Sequence, residues 1–376
     1  MGSASAGDAY SSFCVAKDDL RRCRWSDCDA AGATEIQPGQ IVVKVCKFAF
    51  TSNNVTYARL GEPLTNSVVS YWQFFPAPES WGIIPVWGIG EVVATDHPAV
   101  RVGESLYGFF PMATHAVIQP RIQGHTHMID ATSHRQALPA IYQDYMLIDR
   151  EHHLDHMRSD EYLVLRPAFS LSFCCALFLR QEGYFGARRI IISSASSKAA
   201  LGLGFQLAKH RGQDLEICGL TSQSNVALVE HRGRYDRVYS YGDVGRLPAD
   251  APVLFVDITG DSRLVAAVHR HFGKRLVYSC MAGFTHWDAA SPQESVPGPS
   301  PTLFSTPEHM LQRREEWGFD GYWHRFTTHY RDFHADISTW LKIERLGGRS
   351  GAERVYRQML DGVALPDTGY VLSIAD

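Results

Sequence analysis

The chain has 376 residues, 45% of them hydrophobic and 20% charged, and 36 basic against 40 acidic side chains leave a net charge of −4. Disorder needs low hydrophobicity and high net charge, so that class is excluded; a nucleic-acid binder shows a basic excess or stripe, and the bases here are scattered. At roughly 150 residues per domain, the length implies two to three folding units with large cores.

Met1 to Tyr10 is small and polar, with no basic segment leading into an apolar run, so no secretory leader is expected. Residues 1 to 12 read as a loose tail. Gln40 to Ala49 follows a Pro38-Gly39 turn and reads as a strand. Trp81 to Thr95 mixes glycine with β-branched residues, the composition of tightly bent strands. Val100 to Pro111 reads as strand, Gly-Glu turn, strand. The first third is therefore mainly antiparallel β. Leu171 to Leu179 suits a buried helix, and no window holds eighteen consecutive apolar residues, so no membrane span is expected.

The pattern changes near residue 160. Arg188 to Ser193 is a short apolar strand, and Lys198 to Lys209 is helical and stops before Gly212. Glu216 to Thr221 is a second strand, Ser224 to Arg232 a helix closed by Gly233, and Asp236 to Tyr241 a third strand. Pro252 to Ile258, a helix over Arg263 to Phe272, and Lys274 to Met281 complete the series. Alternating strands and helices imply parallel βαβ units, and continuous apolar strands imply a sheet covered on both faces. Ser291 to Pro301 is a proline-rich loop, Glu308 to Trp317 a charged helix, Thr328 to Leu341 an aromatic helix, and Leu365 to Ile374 a final strand.

The eight cysteines are dispersed and form no CxxC pair, which reads as reduced thiols in a cytoplasmic chain. The pair His152 and His156 would share one face of an α-helix, but no third ligand accompanies it, so solvated histidines are the reading and no metal is expected.

This order of elements resembles the medium-chain dehydrogenase/reductase superfamily, in its zinc-free quinone-oxidoreductase and enoyl-reductase branches. Ile41 to Gly61, Pro85 to Pro111 with Val102-Gly103-Glu104, and Ile190 to Lys209 ending Gln206-Leu207-Ala208-Lys209 carry the match. The runs Asn53-Asn54-Val55-Thr56-Tyr57, Ile84-Pro85-Val86-Trp87-Gly88 and Ser193-Ser194-Ala195-Ser196-Ser197-Lys198 are similar to a divergent branch described as a domain of unknown function. The resemblance implies an α/β protein with a GroES-like β-rich catalytic domain over 13–160 and a doubly wound, Rossmann-like nucleotide-binding domain over 161–310. Residues 311–376 would return to the first domain. In the resembled superfamily edge strands of the α/β sheet often mediate dimers, so a homodimer is one expectation and the oligomeric state stays open.

A dinucleotide fold holds diphosphate on a helix N-terminus after a glycine-rich turn. Here the turn Ser193 to Ala200 has no glycine. The hydroxyls of Ser194, Ser196 and Ser197 with the Lys198 ammonium would take the place of bare backbone, or cofactor binding has been lost. An NAD site places a carboxylate after the second strand; this chain has Thr221-Ser222-Gln223-Ser224-Asn225, so Thr221, Ser222 and Asn225 favour NADPH, with Arg232 and Lys198 as sources of charge. The same serines would also cap the next helix. Tyr241, closing the third strand, joins the cofactor side.

Zinc is not expected, because the matching positions hold Ser52-Asn53-Asn54 and Val86-Trp87-Gly88. Reduction then needs a hydrogen-bond or proton donor. Tyr57, which follows the Asn53-Asn54 turn, is the first candidate, with Asn53 also on the catalytic side, and Tyr142 and Tyr145 are rivals. Tyr71, Trp72, Phe74 and Phe75, with Tyr107, Phe109 and Phe110, would form an aromatic wall. A packed tyrosine bonded to backbone is the bland alternative for each. His286, after the fifth strand, is either a general acid–base or a turn histidine, and Asp257 either orients a helix or touches the cofactor side. No G-x-S-x-G elbow is present, and Cys174-Cys175 lies in an apolar run.

The leading expectation is an NADPH-dependent, zinc-independent reductase of a carbonyl or conjugated double bond on an apolar acyl or polyketide-like substrate, carried as a small molecule or acyl thioester. The alternatives are a non-redox lyase, cyclase or carbon–carbon-bond-cleaving enzyme on the same scaffold, and a non-catalytic partner in a biosynthetic assembly. No nucleic acid or membrane partner is expected.

Overall fold

A computed structural model describes residues 10–28, 36–62, 70–212, 214–283 and 296–374. His286 lies outside the described residues. The chain forms two compact units, one from Met1–Val164 with Leu341–Asp376 and the other from Leu165–Trp340.

In chain order the first unit opens with β1 (Tyr10–Ala16), β2 (Cys23–Cys28), β3 (Ile41–Phe50), α1 (Ser52–Arg59), β4 (Trp81–Ile83), β5 (Pro85–Thr95) and β6 (Ser105–Pro111). It continues with β7 (His115–Ile118), β8 (Pro120–Gln123), β9 (His127–Asp130) and β10 (Asp144–Leu147). Helix α2 (Asp160–Gln181) crosses into the second unit, which holds β11 (Arg189–Ile192), α3 (Lys198–His210), β12 (Glu216–Thr221), α4 (Val226–Arg232), β13 (Arg237–Ser240) and β14 (Val253–Asp257). Next come α5 (Ser262–Phe272), β15 (Leu276–Met281), β16 (Thr302–Leu303) and α6 (Thr306–Ile337). The chain then returns to the first unit as β17 (Lys342–Gly347), α7 (Gly348–Leu360) and β18 (Thr368–Ser373).

The first unit is β-rich, with a nine-stranded sheet ordered β17-β18-β3-β5-β6-β10-β9-β8, β7 also pairing β3, and a small sheet β2-β1-β4. Its pairings are antiparallel except β17 with β18. Phe48, Val86, Phe110 and Tyr145 lie in its core. The second unit carries six parallel strands ordered β13-β12-β11-β14-β15-β16. Chain order reverses between β11 and β14, the switch point where doubly wound sheets bind ligands at the carboxyl ends of their strands.

Three boundaries differ from the sequence reading. Tyr10 pairs with Cys28, so residues 10–12 belong to a strand and not to a tail. The segment 311–340 stays in the second unit, because α6 stacks Phe326 and Phe333 on Phe169 of α2; the return starts at Leu341. In α6 the first expected helix does end at Trp317, where the non-helical Gly318 breaks the element, but the second begins ahead of Thr328 and ends at Ile337, short of Leu341. His152–Arg158 is a 3-10 helix and not an α-helix, and the side chain of His152 lies outside the described residues. Helix α2 is long and apolar enough to cross a bilayer by composition, yet 72% of its apolar window is buried inside the protein, which a core helix also satisfies.

Candidate active site

In the first unit the site is built on α1. The Thr51 N–H donates to Asn54 Oδ1 at 2.8 Å, which starts the helix, and Asn54 Nδ2 donates to the Pro85 carbonyl at 2.9 Å, which ties it to β5. Four residues is one helical turn, so Asn53 and Tyr57 share a face. Asn53 Nδ2 donates to the Tyr57 hydroxyl at 2.7 Å. From β5, Trp87 Nε1 donates to the same oxygen at 3.3 Å.

A hydroxyl has two acceptor positions and one proton. Both acceptor positions of Tyr57 are filled by N–H groups, and among the described residues nothing accepts its proton. Burial, then the neighbouring Tyr142, pushes the Tyr57 phenol well above its ordinary value, so it stays protonated. It is a neutral donor with a fixed orientation.

Tyr71 stacks on Tyr57 with ring centroids 4.5 Å apart, and its hydroxyl meets that of Tyr142 at 2.9 Å. Burial also raises the phenols of Tyr71 and Tyr142. Phe74 and Phe109 close the cluster edge-on. The structure thus brings together Asn53, Tyr57 and Tyr142 and adds Trp87 and Tyr71. Trp87 was legible only as part of a family run, because a strand position does not reveal which helix it faces.

Tyr145 is placed elsewhere. Its hydroxyl donates to the Phe109 carbonyl at 2.5 Å and receives Arg135, which is itself paired with Asp130. Burial pushes its phenol up to about 12. Alternation along β6 explains the separation: Tyr107 and Phe109 point to the tyrosine cluster, while Leu106 and Phe110 point to the core with Tyr145. A Cβ at Gly108 would lie 2.2 Å from the Tyr145 ring, so that glycine makes its room. Trp72 also leaves the expected wall and packs over Gly61 and Gly82.

In the second unit each serine of the turn after β11 has a different task. Ser193 donates to Asp257 Oδ1 at 2.7 Å and accepts from the Ile258 and Thr259 N–H groups at 2.7 and 3.2 Å, which latches β11 to β14 across the switch point. Asp257 also accepts from Thr259 and Gly260, and burial raises its carboxyl. It is an internal latch. Ser194 adopts φ 53, a left-handed conformation that costs a non-glycine residue about 1–3 kcal/mol and concentrates at functional turns. It holds the Tyr241 hydroxyl through backbone and side chain, and burial raises that phenol.

Ser196 is half-buried and accepts from Thr221 Oγ1 and Asn225 Nδ2, each at 3.2 Å. Its acceptor positions are filled as those of Tyr57 are, so its proton is left for a further acceptor. Ser197 caps α3, accepting from the Ala200 N–H at 3.2 Å, and Lys198 is the first residue of that helix. Ser222 bonds Ser224 at 3.1 Å. Arg232 lies over the Trp340 ring instead of the turn. Among the described residues no three metal-ligating side chains come together.

The family described as "Protein of unknown function (DUF2855)" matches residues 48–364. No curated protein matches the chain. Among solved structures, a candidate NADPH:quinone reductase of Mesorhizobium loti is 14% identical, with a TM-score of 0.61 over 99% of this chain and 100% of that one. CurA of Vibrio vulnificus in complex with NADPH is 10% identical, with a TM-score of 0.58 over 97% and 99%. The Etr1p complex with NADP and crotonyl-CoA is 11% identical, with a TM-score of 0.55 over 98% and 100%. These likenesses show a shared fold.

Proposed function

Because this chain belongs to the DUF2855 family and has the medium-chain reductase fold, we propose that it is a zinc-independent, NADPH-dependent reductase of a carbonyl or conjugated alkene on an apolar acyl substrate. The observation that carries this reading is the Tyr57 hydroxyl, filled by two N–H donors and left with one proton to give. Such a donor suits an oxyanion that develops on a reacting carbonyl or enoyl thioester. The apolar acyl class rests on the aromatic rings around it.

The residues at the switch point fit a dinucleotide. The donor set is the half-buried Ser196 hydroxyl together with the N-terminus of α3, whose partial positive charge favours phosphate. No carboxylate stands at 222–225 to repel a 2′-phosphate, and Ser222 and Asn225 offer a hydroxyl and an amide there, whereas the buried Thr221 gives its proton to Ser196; this favours NADPH over NADH. When bound, the nucleotide supplies a hydride. Tyr57 holds the substrate oxygen by its proton, Asn53 and Trp87 keep that proton aimed, and the aromatic rings exclude water.

Two measurements test this. NADPH at 100 times its dissociation constant should stabilise the protein by about 2.7 kcal/mol, read as a raised melting temperature that NADH does not match. With an enoyl thioester or a quinone, Tyr57→Phe should lower turnover about 100- to 1,000-fold while NADPH affinity is kept. Full turnover in the Tyr57→Phe protein would remove the donor role. The glycine-free turn favours one other reading, a non-redox reaction on the same scaffold; activity that survives complete removal of pyridine nucleotide would establish it.

A further inference from the structure

The turn after β11 can be accounted for bond by bond. Each residue brings one backbone N–H and one C=O, and a folded chain normally uses both. The Ala195 N–H donates to the Leu220 carbonyl of β12 at 2.9 Å, and the Ser197 N–H closes a four-residue turn on the Ser194 carbonyl at 2.7 Å. Such a turn leaves its central peptide unbonded within the turn. Here that peptide joins Ala195 to Ser196. Its carbonyl accepts from the Tyr235 hydroxyl at 3.3 Å, while its N–H, that of Ser196, has no partner among the described residues.

Tyr235 stands just before β13, yet its ring lies between α3 and β12, and three glycines make the room. A Cβ at Gly204 of α3 would lie 3.1 Å from the ring, one at Gly219 of β12 3.2 Å, and one at Gly233 2.6 Å. Glycine is the residue that lets another group approach the backbone this closely. Burial holds the phenol above its ordinary value, so it stays protonated and donates. Its one proton faces two carbonyls, that of Ala195 at 3.3 Å and that of Ala200, in the first turn of α3, at 2.8 Å. The hydroxyl thus bridges the two sides of the serine turn.

A trans peptide points its C=O and its N–H in opposite directions. With the Ala195 carbonyl turned to Tyr235, the Ser196 N–H points to the face of the turn opposite Tyr235. The Ser196 hydroxyl is fixed separately by Thr221 and Asn225 and keeps one proton. Two donors on one residue suit an oxyanion.

We propose that Tyr235 is a positioning residue for the diphosphate of the nucleotide: by holding the Ala195 carbonyl it aims the Ser196 N–H, so that Ser196 offers phosphate oxygens both its N–H and its hydroxyl. In a glycine-rich turn, bare backbone and close helix–strand packing perform these tasks. Here the glycines of α3 and β12 admit a tyrosine, and the tyrosine sets the backbone. This role rests on the nucleotide reading above and adds the group that holds the turn in shape.

The test uses the full chain and measures NADPH affinity by calorimetry in the wild type and in Tyr235→Phe, which keeps the ring among its glycines and removes only the hydroxyl. Both are measured well below their melting transitions, so that a general loss of stability does not enter. The expected result is an affinity about tenfold lower in Tyr235→Phe, the low end for one hydrogen bond to a charged group. The Ser196 amide proton, assigned with ¹⁵N-serine and Ser196→Ala, gives a readout that a merely structural tyrosine would not move. It should shift downfield as NADPH saturates the wild type, and less in saturated Tyr235→Phe. Wild-type protein that binds NADPH with an unmoved Ser196 amide, or with the same affinity as Tyr235→Phe, overturns the role of Tyr235 and leaves the nucleotide reading standing. Wild-type protein that binds no NADPH removes the nucleotide reading, and this role with it.

Discussion

A hydroxyl that accepts two hydrogen bonds can act only as a donor outward, and this chain uses that rule at Tyr57 and at Ser196. The same rule separates the two rival tyrosines. Tyr145 gives its proton to the Phe109 carbonyl and receives Arg135, so its hydroxyl is spent inside the fold. Tyr145→Phe removes the donor from a buried carbonyl and should cost about 1–3 kcal/mol, read as a lower urea midpoint. Nucleotide affinity and turnover should be unchanged, the reverse of the pattern expected for Tyr57→Phe. In sequence the two residues are alike, each an aromatic in an apolar neighbourhood. Strand alternation along Tyr107 to Phe110 shows that two faces exist, but which face Tyr145 joins depends on the β6–β10 pairing. Asn53 and Tyr57 were each legible as candidates, but their contact was not, because 52–59 reads as a turn and is a helix; Ser193 with Asp257 was not legible either, because 64 residues separate the two partners of that latch.

Helix α6 shows what an element can hide. Gly318 has φ 72 and ψ 167, a backbone open almost only to glycine, and it breaks the helix. Gly321, three residues on, is helical, and a Cβ there would make ordinary contact with Trp317 at 3.4 Å. The two glycines therefore answer the same substitution with opposite signs. Gly318→Ala meets no atom within 4 Å but must adopt a forbidden conformation, so it should destabilise by about 1–3 kcal/mol. Gly321→Ala should stabilise by about 0.4–1 kcal/mol, because alanine has less freedom to lose. Thermal melts of both variants check the pair. The pattern of charged and then aromatic residues marks helix on both sides of Gly318, which is why the sequence reads as two helices. The strands β11, β12, β14 and β15 were legible nearly to the residue, since a buried parallel strand is a continuous apolar run bounded by turn-formers.

At the scale of the molecule, the first unit closes only when the last residues return to it, with β18 pairing β3 and β17 pairing β18. That return was legible in outline from the resemblance, but its start at Leu341 depends on how α6 packs. Asp160 holds the junction. Its carboxylate takes Lys47 of β3 at 2.6 Å and also Arg345 of β17, and it is 4% exposed. Burial alone would raise its pKa, but the hydrogen bonds and charges of Lys47 and Arg345 outweigh it and hold the carboxyl below 3.8. A carboxylate depressed in the folded state contributes stability that is complete above its unfolded value and disappears as pH falls through the folded one. Glu104, held down by Arg150 against the same opposing effect of burial, adds to the dependence in the same direction. The unfolding transition of this unit should therefore move to lower urea as the pH falls from 6 to 3. Asp160→Asn should lower the midpoint at pH 6 by the equivalent of about 1–3 kcal/mol, the modest range expected because Arg345 is largely exposed. It should also flatten the acid dependence, since the group that titrates has gone. A full acid dependence in the Asp160→Asn protein would place the sensitivity on other carboxylates and leave the return of β17 resting on its backbone pairing with β18.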